Sequence, residues 1–324
     1  MTTPAADTVT HVLTVFGKVK AEVRKAVVGQ DDVIDHVCAA ILAGGHVLLE
    51  GLPGTAKTLM ARAFACALKC RFARIQFTPD LMPADITGTS VFDPERRKFE
   101  FHPGPIFTDL LLADEINRAP AKTQAALLEA MQERRVTADG RSHPLSPVFT
   151  TLATQNPIEY EGTYPLPEAQ LDRFMLKLLV DYPAASDEKE MLARYRDGTT
   201  LHEVESLHIE AQTSAEDVAA MRATLSAVTV EDGVLTYISD IVRQTRSWAT
   251  LAVGASPRAS VALLTLSRAL AALRGRPYVV PDDVKSAAPS VLRHRVIIKP
   301  EVEIEGGKPD DTIRDLLAAV KVPK

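Results

Sequence analysis

The segment Gly51-Leu52-Pro53-Gly54-Thr55-Ala56-Lys57-Thr58 sets two glycines, a lysine and a hydroxyl at the spacing of a phosphate cradle. In such a turn, backbone N–H groups and the N-terminus of the next helix point at one anion. Lys57 would reach the β- and γ-phosphates and the Thr58 hydroxyl would take Mg²⁺. Gly51, Pro53, Gly54, Thr55, Ala56, Lys57, Thr58 and Leu59 are therefore candidate nucleotide-binding positions. Ala56 stands where the G-x-x-x-x-G-K-[ST] pattern has its last glycine, and a Cβ there crowds the turn or restricts its dihedrals. The competing reading is an ordinary Gly/Pro turn between a strand and a helix.

A second run, Leu110-Leu111-Leu112-Ala113-Asp114-Glu115, is an apolar stretch ending in two acids. Phosphate-transferring sites built on such a cradle use a strand of this kind to hold the metal and activate water. Asp114 is the candidate for the metal's water shell, with Thr58, and Glu115 points elsewhere, free to take a proton from the attacking water. Alternatively, the two acids cap a helix starting near Ala119-Pro120.

For these residues to meet, their strands must end at one edge of a sheet. The apolar run 46–50 is of strand length and enters the cradle; a helix carrying Leu59, Ala61, Phe64, Ala65 and Leu68 leaves it. Upstream, Val33, Ile34, Val37, Ile41 and Leu42 predict a helix over 31–43, stopped at Gly44-Gly45. Further strands are expected at 72–77, 110–114, 148–154 and 174–180. Their alternation with helices predicts an α/β fold with a mainly parallel sheet, whose ligands bind at the carboxyl edge. Two turn-rich segments read as hairpins, one inserted at 80–105 and one at 136–147 around Asp139-Gly140, the second following a helix over 123–133.

Strand signals stop near Asp181-Tyr182-Pro183. Helices expected at 187–195, 214–227, 235–248, 260–273 and 281–295 make a second, helical domain, dividing the chain into 1–183 and 184–324. The polar stretch 300–309 with Gly306-Gly307 reads as a loose connection to a last helix over 312–320.

At 324 residues, 46% hydrophobic and 24% charged, the chain is long enough for about two domains and is not of disordered or collagen-like composition. A net charge of −5 argues against a nucleic-acid coat, and no apolar run approaches the length of a membrane span. The first residues lack a secretory signal, and Cys38, Cys66 and Cys70 are too few for a disulfide framework, so a cytoplasmic protein with reduced thiols is expected. Cys66 and Cys70, one turn apart in a predicted helix, are expected to pack on the sheet.

Together with Val27-Val28-Gly29-Gln30, the cradle and Leu111-Ala113-Asp114-Glu115-Ile116-Asn117-Arg118-Ala119 make the chain resemble the MoxR-type AAA+ ATPases of the helix-2-insert clade, from about residue 20 to 298. An alanine before the cradle lysine is usual in that family. The resemblance implies a P-loop core sheet of strand order 5-1-4-3-2 followed by an α-helical lid, with hairpins at the two places named above. It adds Val28 and Gly29 to the nucleotide contacts. From Thr154-Gln155-Asn156-Pro157 it makes Asn156 the sensor 1 amide that orients the attacking water. Within Pro167-Glu168-Ala169-Gln170-Leu171-Asp172-Arg173-Phe174 it makes Arg173 the arginine finger facing a neighbour's nucleotide. From Gly254-Ala255-Ser256-Pro257-Arg258-Ala259 it makes Arg258 the sensor 2 group through which the lid feels the γ-phosphate. It further implies MgATP hydrolysis, a homo-oligomeric ring, commonly a hexamer, and chaperone-like work on partners that carry von Willebrand factor A domains.

Arg118 is left with two roles, a contact across subunits or a cap on the Asp109 or Glu115 region. Arg134, Arg135 and Arg141 read as a solvated face, and Met131, Met175, Met191 and Met221 as core filler. His202-Glu203 has no partner at zinc-ligand spacing. Two other classes compete with a ring ATPase: a nucleotide-gated scaffold with little turnover, which the intact Glu115, Asn156 and Arg173 set argues against, and a DNA-translocating motor, which the net acidity argues against.

Overall fold

The computed structural model describes residues 4–157, 163–197 and 204–323; His202-Glu203 lies outside them. The chain opens with helix α1 (Pro4–Ala26), then α2 (Asp31–Ala43), β1 (Val47–Gly51), α3 (Lys57–Ala67), β2 (Phe72–Gln76) and the short α4 (Pro83–Thr87). The hairpin β3 (Gly88–Asp93) and β4 (Lys98–Pro103) precedes β5 (Leu110–Asp114) and α5 (Ala121–Glu133). A second hairpin, β6 (Arg135–Ala138) and β7 (Arg141–Pro144), leads to β8 (Thr150–Gln155), α6 (Glu168–Leu171) and β9 (Leu176–Val180). Helices follow: α7 (Ala185–Arg196), α8 (Ala215–Thr224), α9 (Asp232–Thr245), α10 (Pro257–Leu273), α11 (Pro281–Leu292), α12 (Pro300–Ile304) and α13 (Pro309–Ala319). Between them, β10 (Leu251–Val253) pairs antiparallel with β11 (Ile297–Ile298).

The core sheet is parallel throughout, with the order β2-β5-β8-β1-β9. Numbered by core strand alone this is the expected 5-1-4-3-2. Both faces are covered, and alternation along each strand deals its apolar residues to opposite sides. Val47, Leu49, Leu110 and Leu112 join a core shared with α1, α2, α3 and the C-terminal helices. Leu48, Leu111 and Ala113 join another core with Leu127, Leu128 and Met131 of α5. Local chemistry supports these elements. Asp31 and Asp32 sit in the first turn of α2, where the helix dipole favours acid, and Gly44 ends it at φ 71°. Ser256 caps α10 by accepting from the Arg258 N–H, with Pro257 at the first helical position.

The structure adds to or corrects the sequence reading in several places. The reading has no helix over residues 4–26, although buried Val9, Val12, Phe16, Val19 and Val23 recur at steps of three and four and pack α1 against both the sheet helices and α10. The helical region contains the β10–β11 pair, and 300–309 begins with α12. Cys70 lies beyond the end of α3, where burial pushes its thiol up to about 12, and Cys66 is exposed rather than packed on the sheet. Arg134 is no solvated charge: partly buried, it donates to the carbonyls of Gly44 and Phe149. The two hairpins touch through Phe101, stacked on His143 at 4.0 Å between ring centres. Among the described residues, no helix is long and apolar enough to cross a membrane.

A buried acid ties the end of α10 to the start of α11. Asp283, fully buried, accepts from Arg274 at 2.6 Å, from Arg276 at 2.6 and 2.9 Å, and from the Val280 N–H at 3.0 Å. Asp283→Ala removes these charge-assisted bonds, while the partly exposed arginines keep access to solvent, and is expected to cost about 2 kcal/mol. A lowered midpoint in urea unfolding followed by circular dichroism checks it.

Candidate functional site

At the carboxyl edge of the sheet a cleft of about 580 Å³ opens between the β1–α3 loop, the ends of β5 and β8, and α7. The loop turns through Gly54 at φ 81° and Ala56 at φ 59°, and α3 starts at Lys57 with no side chain capping its first amides. Those amides are left for an anion. Ala56 carries a Cβ in the left-handed region, a strain of order 1 kcal/mol. Ala56→Gly removes that strain, so thermal unfolding should shift upward by about 1 kcal/mol in stability, seen by calorimetry.

Lys57 folds back onto its own loop. Its ammonium donates to the carbonyls of Gly51 and Leu52 at 2.7 Å and to Thr55 Oγ1 at 3.2 Å. Burial lowers its pKa below the ordinary lysine value, while Asp114 and Glu115 pull the other way. Gly51 does not form the cleft wall. A Cβ there would run into the Val180 carbonyl, so its smallness serves the β1–β9 contact rather than an anion. Gly29 is likewise outside the cleft: at φ 74° it lies against Asp187, facing an adjoining groove, whereas Val28 lines both. Pro53, Gly54, Thr55, Ala56, Lys57, Thr58 and Leu59 all line the cleft.

β5 brings Asp114 to the cleft floor, and β8 fixes it. Thr154 Oγ1 donates to Asp114 Oδ1 at 2.5 Å and accepts from the Glu115 N–H at 2.8 Å. Thr58 Oγ1 lies 3.5 Å from Asp114 Oδ2. A carboxylate beside a hydroxyl is a hard-oxygen pair of the sort Mg²⁺ takes when waters and phosphates complete its shell, so these residues fit that ion. Glu115 sits at φ 55°, in the left-handed region. Its Oε2 accepts from Gln76 at 2.8 Å and pairs with Arg118 at 3.1 Å. Asp109 is taken instead by Arg71, at 3.0 and 3.1 Å, so of the two acids offered to Arg118 the structure chooses Glu115. Buried Asn156 follows β8 directly, on the same wall.

Several cleft residues escaped the sequence reading. Arg62 follows Thr58 by one turn of α3, a spacing that could have revealed it. Met191, read as core filler, lines the cleft with Tyr195 one turn later on α7. Gln30 donates to the Asp181 carbonyl at 2.8 Å beside Pro183. Arg74 and Gln76, from β2, reach Asp114 and Glu115 only because β2 pairs with β5.

Arg173 and Arg258 lie elsewhere. Arg173 precedes β9, where the Met175 N–H bonds the His46 carbonyl at the amino ends of β9 and β1. Arg258 is beside it, 3.8 Å from Asp172 Oδ2, and both arginines line a cavity of about 350 Å³ with Gly44, His46 and Arg295. A five-residue strand such as β1 separates this edge from the cradle, about 17 Å at the usual rise. The expectation that Arg258 senses the γ-phosphate is therefore corrected for its own chain's cleft. Ser256 Oγ donates to Asp172 Oδ2 at 3.0 Å and ties the start of α10 to the opposite edge.

Residues 46–176 match the model of the ATPase family associated with various cellular activities (AAA), and residues 243–316 match that of the AAA lid domain. The chain is 45% identical to the uncharacterized protein YeaC of Bacillus subtilis over 95% of each chain. It is 43% identical to the chaperone MoxR1 of Mycobacterium tuberculosis, over 94% of this chain and 81% of that one. The crystal structure of an ATPase candidate from Cytophaga hutchinsonii superposes with a TM-score of 0.89 at 39% identity, covering 98% of both chains.

Proposed function

The chain belongs to the MoxR family of AAA+ ATPases and hydrolyses ATP, and from that premise we propose that it works as a ring in which each nucleotide is completed by the neighbouring copy. The observation that carries this reading is the separation of the two halves of the machinery. Lys57, Asp114, Glu115 and Asn156 converge at the carboxyl edge of the sheet, while Arg173 and Arg258 project at the amino edge. A guanidinium stabilises charge spreading over the phosphoryl oxygens, and one that cannot reach its own cleft serves another's. A head-to-tail contact repeated around an axis closes a ring, which we take to be a hexamer.

Within a cleft, the α3 amides and Lys57 bind the phosphates, and Val28, Met191 and Tyr195 enclose the remainder of the nucleotide. Thr58 and Asp114 would hold Mg²⁺, which when bound neutralises charge between the β- and γ-phosphates. Glu115 accepts the proton of the attacking water and Asn156 orients that water. The division of labour falls near Pro183, with 1–183 as the nucleotide-binding core and 184–324 as the lid. We place the work in the cytoplasm, where ATP is made, and assign it to remodelling of partner proteins, in keeping with the chaperone name of the mycobacterial relative. Proteins with von Willebrand factor A domains are the partners we expect.

Phosphate release measured across protein concentration tests the composite site. Specific activity should rise as copies assemble and plateau once sedimentation shows a single large species; activity per chain independent of concentration and assembly would overturn it. A scaffold reading predicts negligible release at every concentration.

A further inference from the structure

Asp114 already has a cation on it. Arg74 Nη2 and Nε both donate to Asp114 Oδ2, at 2.7 and 3.1 Å, while Oδ1 is left to Thr154. This is not the fork-to-fork pairing in which a guanidinium spans both carboxylate oxygens. Both N–H groups crowd the one oxygen that faces Thr58 Oγ1, the atom with which Asp114 would share a metal. The acid is mostly buried, with 12% of its side chain exposed, but the arginine is 48% exposed and stands on β2, an edge strand of the sheet. It therefore has solvent to move into.

We infer that Arg74 is a built-in counter-ion to Asp114 Oδ2 that competes with Mg²⁺ for that oxygen. The inference rests on the nucleotide-site reading above. A positive charge fixed beside a metal carboxylate weakens that carboxylate's attraction for a second cation, so the metal gains its place only as the guanidinium gives way. The same Nη2 also donates to Gln76 Oε1 at 2.8 Å, and the Gln76 amide holds Glu115. Departure of Arg74 thus loosens one of the contacts that restrain Glu115, and metal loading is passed to that carboxylate through protein atoms alone. A merely structural Arg74 would do the opposite: by anchoring Asp114 it would help the metal bind.

The two roles separate in the linkage between metal and nucleotide. Binding of a fluorescent ATP analogue is measured on folded full-length protein, once with saturating Mg²⁺ and once with chelator, and the dissociation constant with chelator divided by that with Mg²⁺ gives the coupling. Arg74→Gln should raise that ratio by about tenfold over wild type, through tighter binding with Mg²⁺ and unchanged binding without it. Arg74→Lys, which keeps a charge but loses the paired N–H groups, should fall between the two, and it decides the matter if Arg74→Gln does not fold. A ratio equal to or below that of wild type in these variants overturns the inference. Wild-type protein that binds no nucleotide at all would instead sink the site reading beneath it.

Discussion

Glu115→Gln should bind ATP about as tightly as the parent chain and turn it over 10²- to 10⁴-fold more slowly, roughly what a positioned general base contributes. The substitution keeps the size of the side chain and leaves an oxygen for the Gln76 amide and for Arg118, so the local geometry survives. What it removes is the capacity to accept a proton. The cradle, Lys57 and Asp114 are untouched, which is why binding should persist while turnover falls. Quenched-flow phosphate release with a parallel equilibrium binding measurement decides it. Wild-type-like release from the variant would take Glu115 out of the mechanism.

Arg173→Ala should abolish steady-state hydrolysis, by about 10³-fold or more, without weakening nucleotide binding by the isolated copy. The guanidinium lies at the edge of the sheet remote from its own cleft and cannot be a ligand there. The decisive form of the experiment is a mixture. Lys57→Ala removes the phosphate lysine but leaves a finger, and Arg173→Ala removes the finger but leaves a cleft. Each alone should be inactive, yet in equal mixture about a quarter of randomly assembled head-to-tail interfaces join a sound cleft to a sound finger. Recovered activity near that fraction is the expected result, and none at all would contradict the shared site. Arg258→Ala in the same mixture reports whether the second arginine at that edge serves the same neighbour.

Much of this site was legible before any fold was known. Composition and spacing alone point to phosphate at the cradle and to a metal at the strand leading into Asp114-Glu115, and the family resemblance adds Asn156 just after β8. Helix α1 was legible too, from Val9, Val12, Phe16, Val19 and Val23, whose steps of three and four mark one buried helical face. Gly51 illustrates a different failure. Its place in a phosphate motif suggested an anion, whereas its lack of a side chain answers the approach of the Val180 carbonyl. Arg74 and Gln76 carried no signal, since a half-exposed edge strand has charged and polar residues wherever it meets water.

By itself, then, the amino-acid order determined the kind of chemistry: a loop that binds phosphate, a carboxylate pair to accompany it, and strands and helices in alternation. These depend on contacts within a few residues, which backbone geometry makes nearly automatic. Tertiary structure alone decided who meets whom. Pairing of β2 with β5 set Arg74 upon Asp114 and Gln76 upon Glu115, and the tie from Ser256 to Asp172 carried Arg258 away from the cleft it was expected to enter. The physical reason is that strand order and lid placement are settled by burying apolar faces across the whole chain, a sum over distant residues that no local spacing encodes.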